Sequence, residues 1–212
     1  MRTGRPRGFC TDTALDRAMT VFWRQGYEGA SLADLTEAMG INAPSLYAAF
    51  GNKEGLFKAV LERYDERRKG MMESVLTAPD AKTSARLFLE GVAGFAADTS
   101  GQNPPGCLLV QSGLSCADQE IPDELARHRA EKETALRDRF ARARDEGDLP
   151  ESADPAALAR YLMAMANGMC VQAATGATAR ELQDVANLAI AAWPVREKPA
   201  AKKAMRKLQK AQ

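Results

Sequence analysis

The sequence predicts an all-α protein, and three observations carry the prediction. Alanine, leucine, methionine, arginine and glutamate recur throughout the 212 residues, while runs of isoleucine, valine and threonine are scarce. Apolar residues return at helical spacing in one segment after another. Glycine, proline and capping residues punctuate those segments where helices start and stop. Hydrophobic residues make up 45% of the chain and charged residues 27%, an ordinary balance for a folded soluble protein. The length suits one substantial core, or a small domain together with a larger one.

The elements follow in order. Leu15, Ala18, Met19 and Phe22 mark a first helix over about 12–25, with Thr11 or Asp12 as its cap and Gly26 as its end. Ser31-Leu-Ala-Asp34 reads as a capping box opening a short second helix whose stripe is Leu32, Leu35 and Met39, stopped by Gly40. Asn42 caps a third, and Pro44 is tolerated in its first turn because amides there have no intrahelical partner. Leu46 and Phe50 are its core-facing residues. Asn52 caps a long fourth helix running through Leu56, Val60 and Tyr64 towards Leu76. Beyond the Pro79-Asp80 boundary, helices are expected over about 83–98, 107–116 and 122–146. Asp154-Pro155 opens another to about 174, and the capping box Thr178 to Glu181 opens the last, to Trp193.

Helices two and three, joined by the glycine turn at 40–42, have the form of a helix-turn-helix, whose second helix enters the major groove of DNA. Tyr47 is conspicuous there. It is an aromatic directed away from the core beside small residues, and its hydroxyl is placed to reach a phosphate. Phe22-x3-Gly26-Tyr27, Ser31-Leu-x2-Leu35, Gly40-Ile-Asn-Ala-Pro-Ser-Leu-Tyr-Ala-Ala-Phe50 and Lys53-x2-Leu56-Phe57 together resemble the DNA-binding domain of the TetR (tetracycline-repressor) family over about residues 8–67.

The resemblance implies a three-helix DNA-binding domain at 8–67 with its helix-turn-helix at 32–51. A larger helical domain for ligand binding and dimerisation follows at 68–194, and residues 195–212 are read as a basic tail without fixed structure. It implies that Ser45 and Tyr47 grip the DNA backbone, and that Lys53 adds a phosphate contact helped by the positive end of its helix. Asn42, Ala43 and Pro44 would lie against base edges, and Arg5 and Arg7 would follow the backbone or minor groove. Ser31, at the start of the bracing helix, is counted with them. Two departures stand out: Ala49 replaces a frequent histidine, and Leu35-Thr36 replaces a frequent Ile-Ala. With Ala48 also bare, base reading would rest on methyl contacts or DNA shape.

The resemblance also implies that the last two helices pair with their symmetry mates in a homodimer, through Tyr161, Met165, Met169, Val185, Leu188 and Trp193. Their periodicity equally fits a monomer core. Phe88, Phe95, Met163, Met165 and Met169 are candidates to line a pocket for an unidentified small-molecule effector, or simply to fill the core. Cys107, in Pro104-Pro-Gly-Cys-Leu108, falls in the first turn of a helix, whose positive end favours the thiolate. Some family members that sense electrophiles or oxidants have a similar Gly-Cys-Leu, so Cys107 reads either as a sensor or as a small buried hydrophobe.

The remaining inferences are exclusions. Cys10, Cys107, Cys116 and Cys170 show no paired spacing and accompany a single histidine, His128, so no zinc site, other metal or disulfide framework is expected. No cofactor is implied, and an enzyme using Cys107 would lack a base in a promising context. His128, within a charged helix, reads as a solvated surface residue. No apolar run is long enough to span a membrane, and the N-terminus lacks a secretory h-region, so a cytoplasmic location is expected. Net charge is only +1, but residues 70–194 carry 11 Lys/Arg against 18 Asp/Glu, and residues 195–212 carry 7 against 1. A non-specific architectural DNA binder using its basic ends is the alternative. The leading expectation is a repressor of a palindromic double-stranded operator, released by a small molecule or by cysteine modification.

Overall fold

The computed structural model describes residues 10–98, 103–113 and 120–195, Glu120 by its backbone alone. All secondary structure among them is helical. Helices α1 (Thr11–Gly29), α2 (Leu32–Met39), α3 (Ala43–Phe50) and α4 (Lys53–Glu66) form the N-terminal head. The body comprises α5 (Lys69–Leu76), α6 (Ala81–Ala96), α7 (Leu108–Gly113), α8 (Glu120–Asp145), α9 (Pro155–Ala174) and α10 (Ala179–Ala191). The expected arginines of the leading arm, Arg5 and Arg7, lie outside the described residues, as do Cys116 and all but the first residue of the basic tail.

The head is built as its local signals dictate. The Ser31 hydroxyl accepts the Asp34 amide at 3.1 Å, and the Asp34 carboxylate accepts the Ser31 amide at 3.3 Å, closing the capping box. Asn42 Oδ1 accepts the Ser45 amide at 2.9 Å, and Asn52 Oδ1 the Gly55 amide at 2.7 Å. Gly55 has to be glycine: a Cβ there would lie 2.1 Å from the Phe50 carbonyl oxygen, so α3 could not turn into α4. Leu35, Leu46, Leu56 and Phe57 are fully buried, and Phe57 meets Phe22 edge-on at 4.9 Å. Phe50, expected in the core, is only half-buried at its edge. Arg63 clamps α4 to α1 with two bonds to Asp16, at 3.0 and 3.1 Å.

Several expected boundaries move. Neither Thr11 nor Asp12 caps α1; Cys10 stands at that position and offers no side-chain bond. The helix also runs past Gly26 to Gly29, because Gly26 takes φ 71° and ψ 176° and kinks the chain rather than ending it. The kink returns Tyr27 to the core, where its ring lies 5.1 Å from that of Phe57. The single long fourth helix is in fact two, broken at Arg67–Arg68. No glycine or proline marks the break, so it comes from packing: Arg68 lies across Tyr64, Phe95 and Trp23, as described below.

In the body, α9 packs against α6 and α8, and α10 against α6. Asp80, Asp154 and the Thr178–Glu181 box cap α6, α9 and α10. The inward stripe of α9 and α10 includes Leu162, Met169, Leu182 and Ala189, and Trp193 beyond α10 packs 5.2 Å from Phe140. Met169 and Trp193 are thus spent inside the protomer, which corrects their expected place on a dimer surface. Met165 and Val185 are half-buried, while Tyr161 and Leu188 stay exposed, Leu188 by 74%.

Candidate nucleic-acid interface and effector cavity

The exposed residues of α3 and its approach are those the sequence singled out. Asn42, Ala43, Pro44 and Ala48 are exposed, Ser45 and Ala49 are half-buried, and Tyr47 is 48% exposed. Ala43 and Tyr47 share a face one turn apart, and Leu46 anchors the opposite side at zero exposure. The Asn42 oxygen is committed to its cap, leaving only the amide nitrogen as a polar group for a ligand. Ser31 is likewise committed to Asp34. Lys53 starts α4, with its ammonium 4.6 Å from the centre of the Tyr27 ring and 3.4 Å from the Glu28 carbonyl oxygen. It is held rather than free, an arrangement that fixes a positive charge at a helix N-terminus.

The other end of α4 reaches a cavity in the body. Tyr64 and Arg68 line it, together with Phe88, Phe95 and Met163 as expected, and with Cys107, Cys170, Met71 and Asn167. Of the anticipated lining residues, Met165 and Met169 do not contribute. The space is narrow: the centre of a water molecule can sweep only about 60 Å³ of it. At roughly 10–15 Å³ per water that is room for about four to six waters, not for a drug-sized ligand without widening.

Cys107 lies immediately before α7 and is buried, with 8% exposure. Its sulfur is in hydrogen-bonding contact with the Tyr64 hydroxyl at 2.9 Å, and the Cys170 thiol and the Val110 amide are close enough to act on it. Those contacts, led by the one from Cys170, hold the Cys107 thiol well below its ordinary value against the opposing effect of burial; the Arg68 cation adds to them. The same contact pushes Cys170 up, and burial pushes Tyr64 up. The helix end foreseen from the sequence supplies one donor. The larger part comes from Cys170 and Tyr64, which no local motif links to Cys107.

His128 corrects another expectation. It is 4% exposed, not solvated, and its Nδ1 lies 2.5 Å from Asp65 Oδ2 in the last turn of α4. Lys132 donates to the other Asp65 oxygen at 2.6 Å. The charged face of α8 therefore includes a clamp on the head-to-body helix. Among the described residues, no group of histidines, cysteines and carboxylates could hold a metal ion, and no helix is long and apolar enough to cross a membrane.

A head with this capped helix-turn-helix, carried by α4 onto an all-helical body, has clear relatives. Residues 14–60 match the family described as bacterial regulatory proteins, tetR family. Over 193 residues the chain is 37% identical to the HTH-type transcriptional repressor ComR of Escherichia coli K12, spanning 90% of this chain and 92% of ComR. The chain belongs to the TetR family. It is a DNA-binding transcriptional regulator of the repressor type. The HTH-type transcriptional regulator YezE of Bacillus subtilis 168 is 36% identical over 168 residues, covering 75% of this chain and 83% of its own. Among solved structures, a cysteine mutant of the TetR regulator CifR, in complex with 26-bp double-strand operator DNA, superposes with a TM-score of 0.84. It is 40% identical and covers 90% of this chain and all of that one.

Proposed function

We propose that this TetR-family chain is a cytoplasmic homodimeric repressor that holds a palindromic operator and releases it when the cavity beneath α4 is occupied or when Cys107 is modified. In this reading Ser45, Tyr47 and Lys53 grip phosphates, while Asn42, Ala43 and Pro44 face the bases. The exposed apolar residues Tyr161 and Leu188 mark the surface that meets the second protomer.

The observation that carries the reading is the course of α4. Lys53 stands at one end of it and Tyr64, a wall of the cavity, eleven residues on. At ~1.5 Å per residue the two are roughly 16 Å apart along one continuous helix. A shift at Tyr64 or Arg68 therefore displaces Lys53 and the adjoining α3 as a body, and a dimer whose heads no longer match the operator loses both half-sites together.

Footprinting on the DNA upstream of the chain's own coding region, with and without small electrophiles and oxidants, tests the proposal. A protected palindrome that vanishes with such a compound is expected. Protection without site preference, falling steeply with salt, would instead indicate an architectural binder.

A further inference from the structure

Two cysteines distant in sequence meet at the cavity. Cys107 precedes α7 and Cys170 belongs to α9, and both are buried and line the same space. Their thiols lie close enough to act on one another, Cys170 holding Cys107 down and Cys107 pushing Cys170 up. The backbone permits close approach: at Gly106, with φ 93°, a Cβ would lie 3.1 Å from the Cys170 carbonyl oxygen. The Tyr64 hydroxyl lies 2.9 Å from the Cys107 sulfur. Arg68 is the nearby cation. Its guanidinium is stacked 3.4 Å from the Tyr64 ring centre, and its single described hydrogen bond goes to the Tyr64 carbonyl oxygen. Its Nε is buried and unpartnered, and among the described residues it forms no ion pair. A cation without an ion pair, near a thiol that contacts a hydroxyl, is an environment that favours a thiolate.

We propose that Cys107 and Cys170 form a dithiol that a small hydroperoxide converts into a disulfide within one protomer. The proposal rests on the reading of Cys107 as the effector-responsive cysteine and adds its partner and its oxidant. The Cys107 thiolate attacks the terminal oxygen of the hydroperoxide. The O–O bond breaks, the leaving alkoxide or hydroxide takes up a proton, and Cys107 becomes a sulfenic acid. Cys170 then loses its proton, and its sulfur displaces the hydroxyl from Cys107, releasing water. Two thiols and one hydroperoxide give one disulfide, one alcohol or water, and one further water. Two electrons pass from the sulfurs to the broken O–O bond.

The roles are unequal, as the chemistry requires. Cys107 is the stabilised nucleophile, and Cys170 keeps its proton until the second step. The narrow cavity suits a small oxidant. Drawing the sulfurs to ~2.05 Å moves the start of α7 onto α9 and takes from Tyr64 its hydroxyl partner, so the change is delivered to the C-terminal turn of α4.

The test uses the reduced full-length protein, hydrogen peroxide as the probe, peptide mapping by mass spectrometry without reductant, and an operator-binding assay. The wild type is expected to lose two hydrogens, link the Cys107 and Cys170 peptides and release DNA, all reversed by dithiothreitol. Cys170→Ser, and Cys170→Ala should the serine variant misfold, are expected to stop at a Cys107 sulfenic acid trapped by dimedone, with no link. Oxidation of Cys107 without a link to Cys170, or with a link to Cys10 or Cys116, overturns the pairing and leaves the sensor reading standing. A Cys107 inert to peroxide and to alkylating electrophiles alike overturns both.

Discussion

Arg68 holds its guanidinium carbon 3.4 Å from the centre of the Tyr64 ring, at the break between the helix that carries the DNA-binding head and the first helix of the body. The same cation lies 4.3 Å from the Phe95 ring and 5.4 Å from that of Trp23. One side chain thus touches α1, α4 and α6 while lining the cavity. Cation–π contacts of this kind contribute up to about 2 kcal/mol when desolvated. They explain why the chain turns at a point that periodicity reads as continuous helix.

Tyr64→Phe separates packing from chemistry. The ring and its contact with Arg68 remain, while the hydroxyl that bonds the Cys107 sulfur at 2.9 Å is lost. Hydrogen bonds to charged groups contribute about 1.5–3 kcal/mol, and each ~1.4 kcal/mol is one pKa unit. Removing a donor to the thiolate raises the Cys107 thiol. The pH midpoint of its alkylation by iodoacetamide is therefore expected to rise by about 1–2 units. An unchanged midpoint would mean that Tyr64 does not tune the thiol.

The clamp on Asp65 makes stability depend on acid. Burial opposes its charge, but the bonds from His128 and Lys132 outweigh burial, and the carboxyl is held below its ordinary value. A folded-state value below the unfolded one, ~3.9, adds stability that is present above that pH and is lost as pH falls through the folded value. Asp65→Asn is therefore expected to lower the denaturant midpoint at pH 7 by the equivalent of about 1–2 kcal/mol and to flatten the decline below about pH 4. Equal acid slopes for the two proteins would rule this linkage out.

At the DNA face, Tyr47→Phe removes one hydroxyl from a residue 48% exposed, so folding stability should not change. If that hydroxyl donates to a phosphate as proposed, losing the bond, about 1 kcal/mol, weakens operator binding about fivefold. Lys53→Ala is expected to lower the slope of log affinity against log salt by about 1, uniformly across operator sequences. It also forfeits the contact with the Tyr27 ring, so a small fall in melting temperature accompanies it. Fluorescence anisotropy over a salt series measures both effects. A sequence-dependent loss for Lys53→Ala would point to base reading instead.

What was legible in the sequence was mostly local. The Ser31 and Thr178 boxes, the Asn42 and Asp154 caps and the Pro44 position each depend on residues within one turn, and all form as read. The exposed tyrosine of α3 is local in the same sense, since Leu46 on the opposite face fixes its direction. What failed to show depends on contacts between remote segments. His128 reads as solvated because its neighbours on α8 are charged, yet Asp65 comes from another helix to bury and pair it. Cys170 reads as one of four cysteines without paired spacing until the fold brings it to the cavity of Cys107. Met169 and Trp193 sit on apolar stripes whose period reveals a buried face but not what buries it.

That last ambiguity gives a decisive variant. Leu188 is 74% exposed on α10, whereas the inward residues Leu182, Ala186 and Ala189 keep the helix on the body without it. Leu188→Glu should therefore leave the protomer's helicity and melting cooperativity intact. If α9 and α10 meet their symmetry mates, two buried carboxylates would face one another across the dyad, an arrangement costing several kcal/mol. The variant is expected to sediment as a monomer where the wild type is a dimer. Its operator affinity should collapse as well, because a single head contacts one half-site only. A Leu188→Glu protein that stays dimeric and binds its operator normally would place the dimer surface elsewhere.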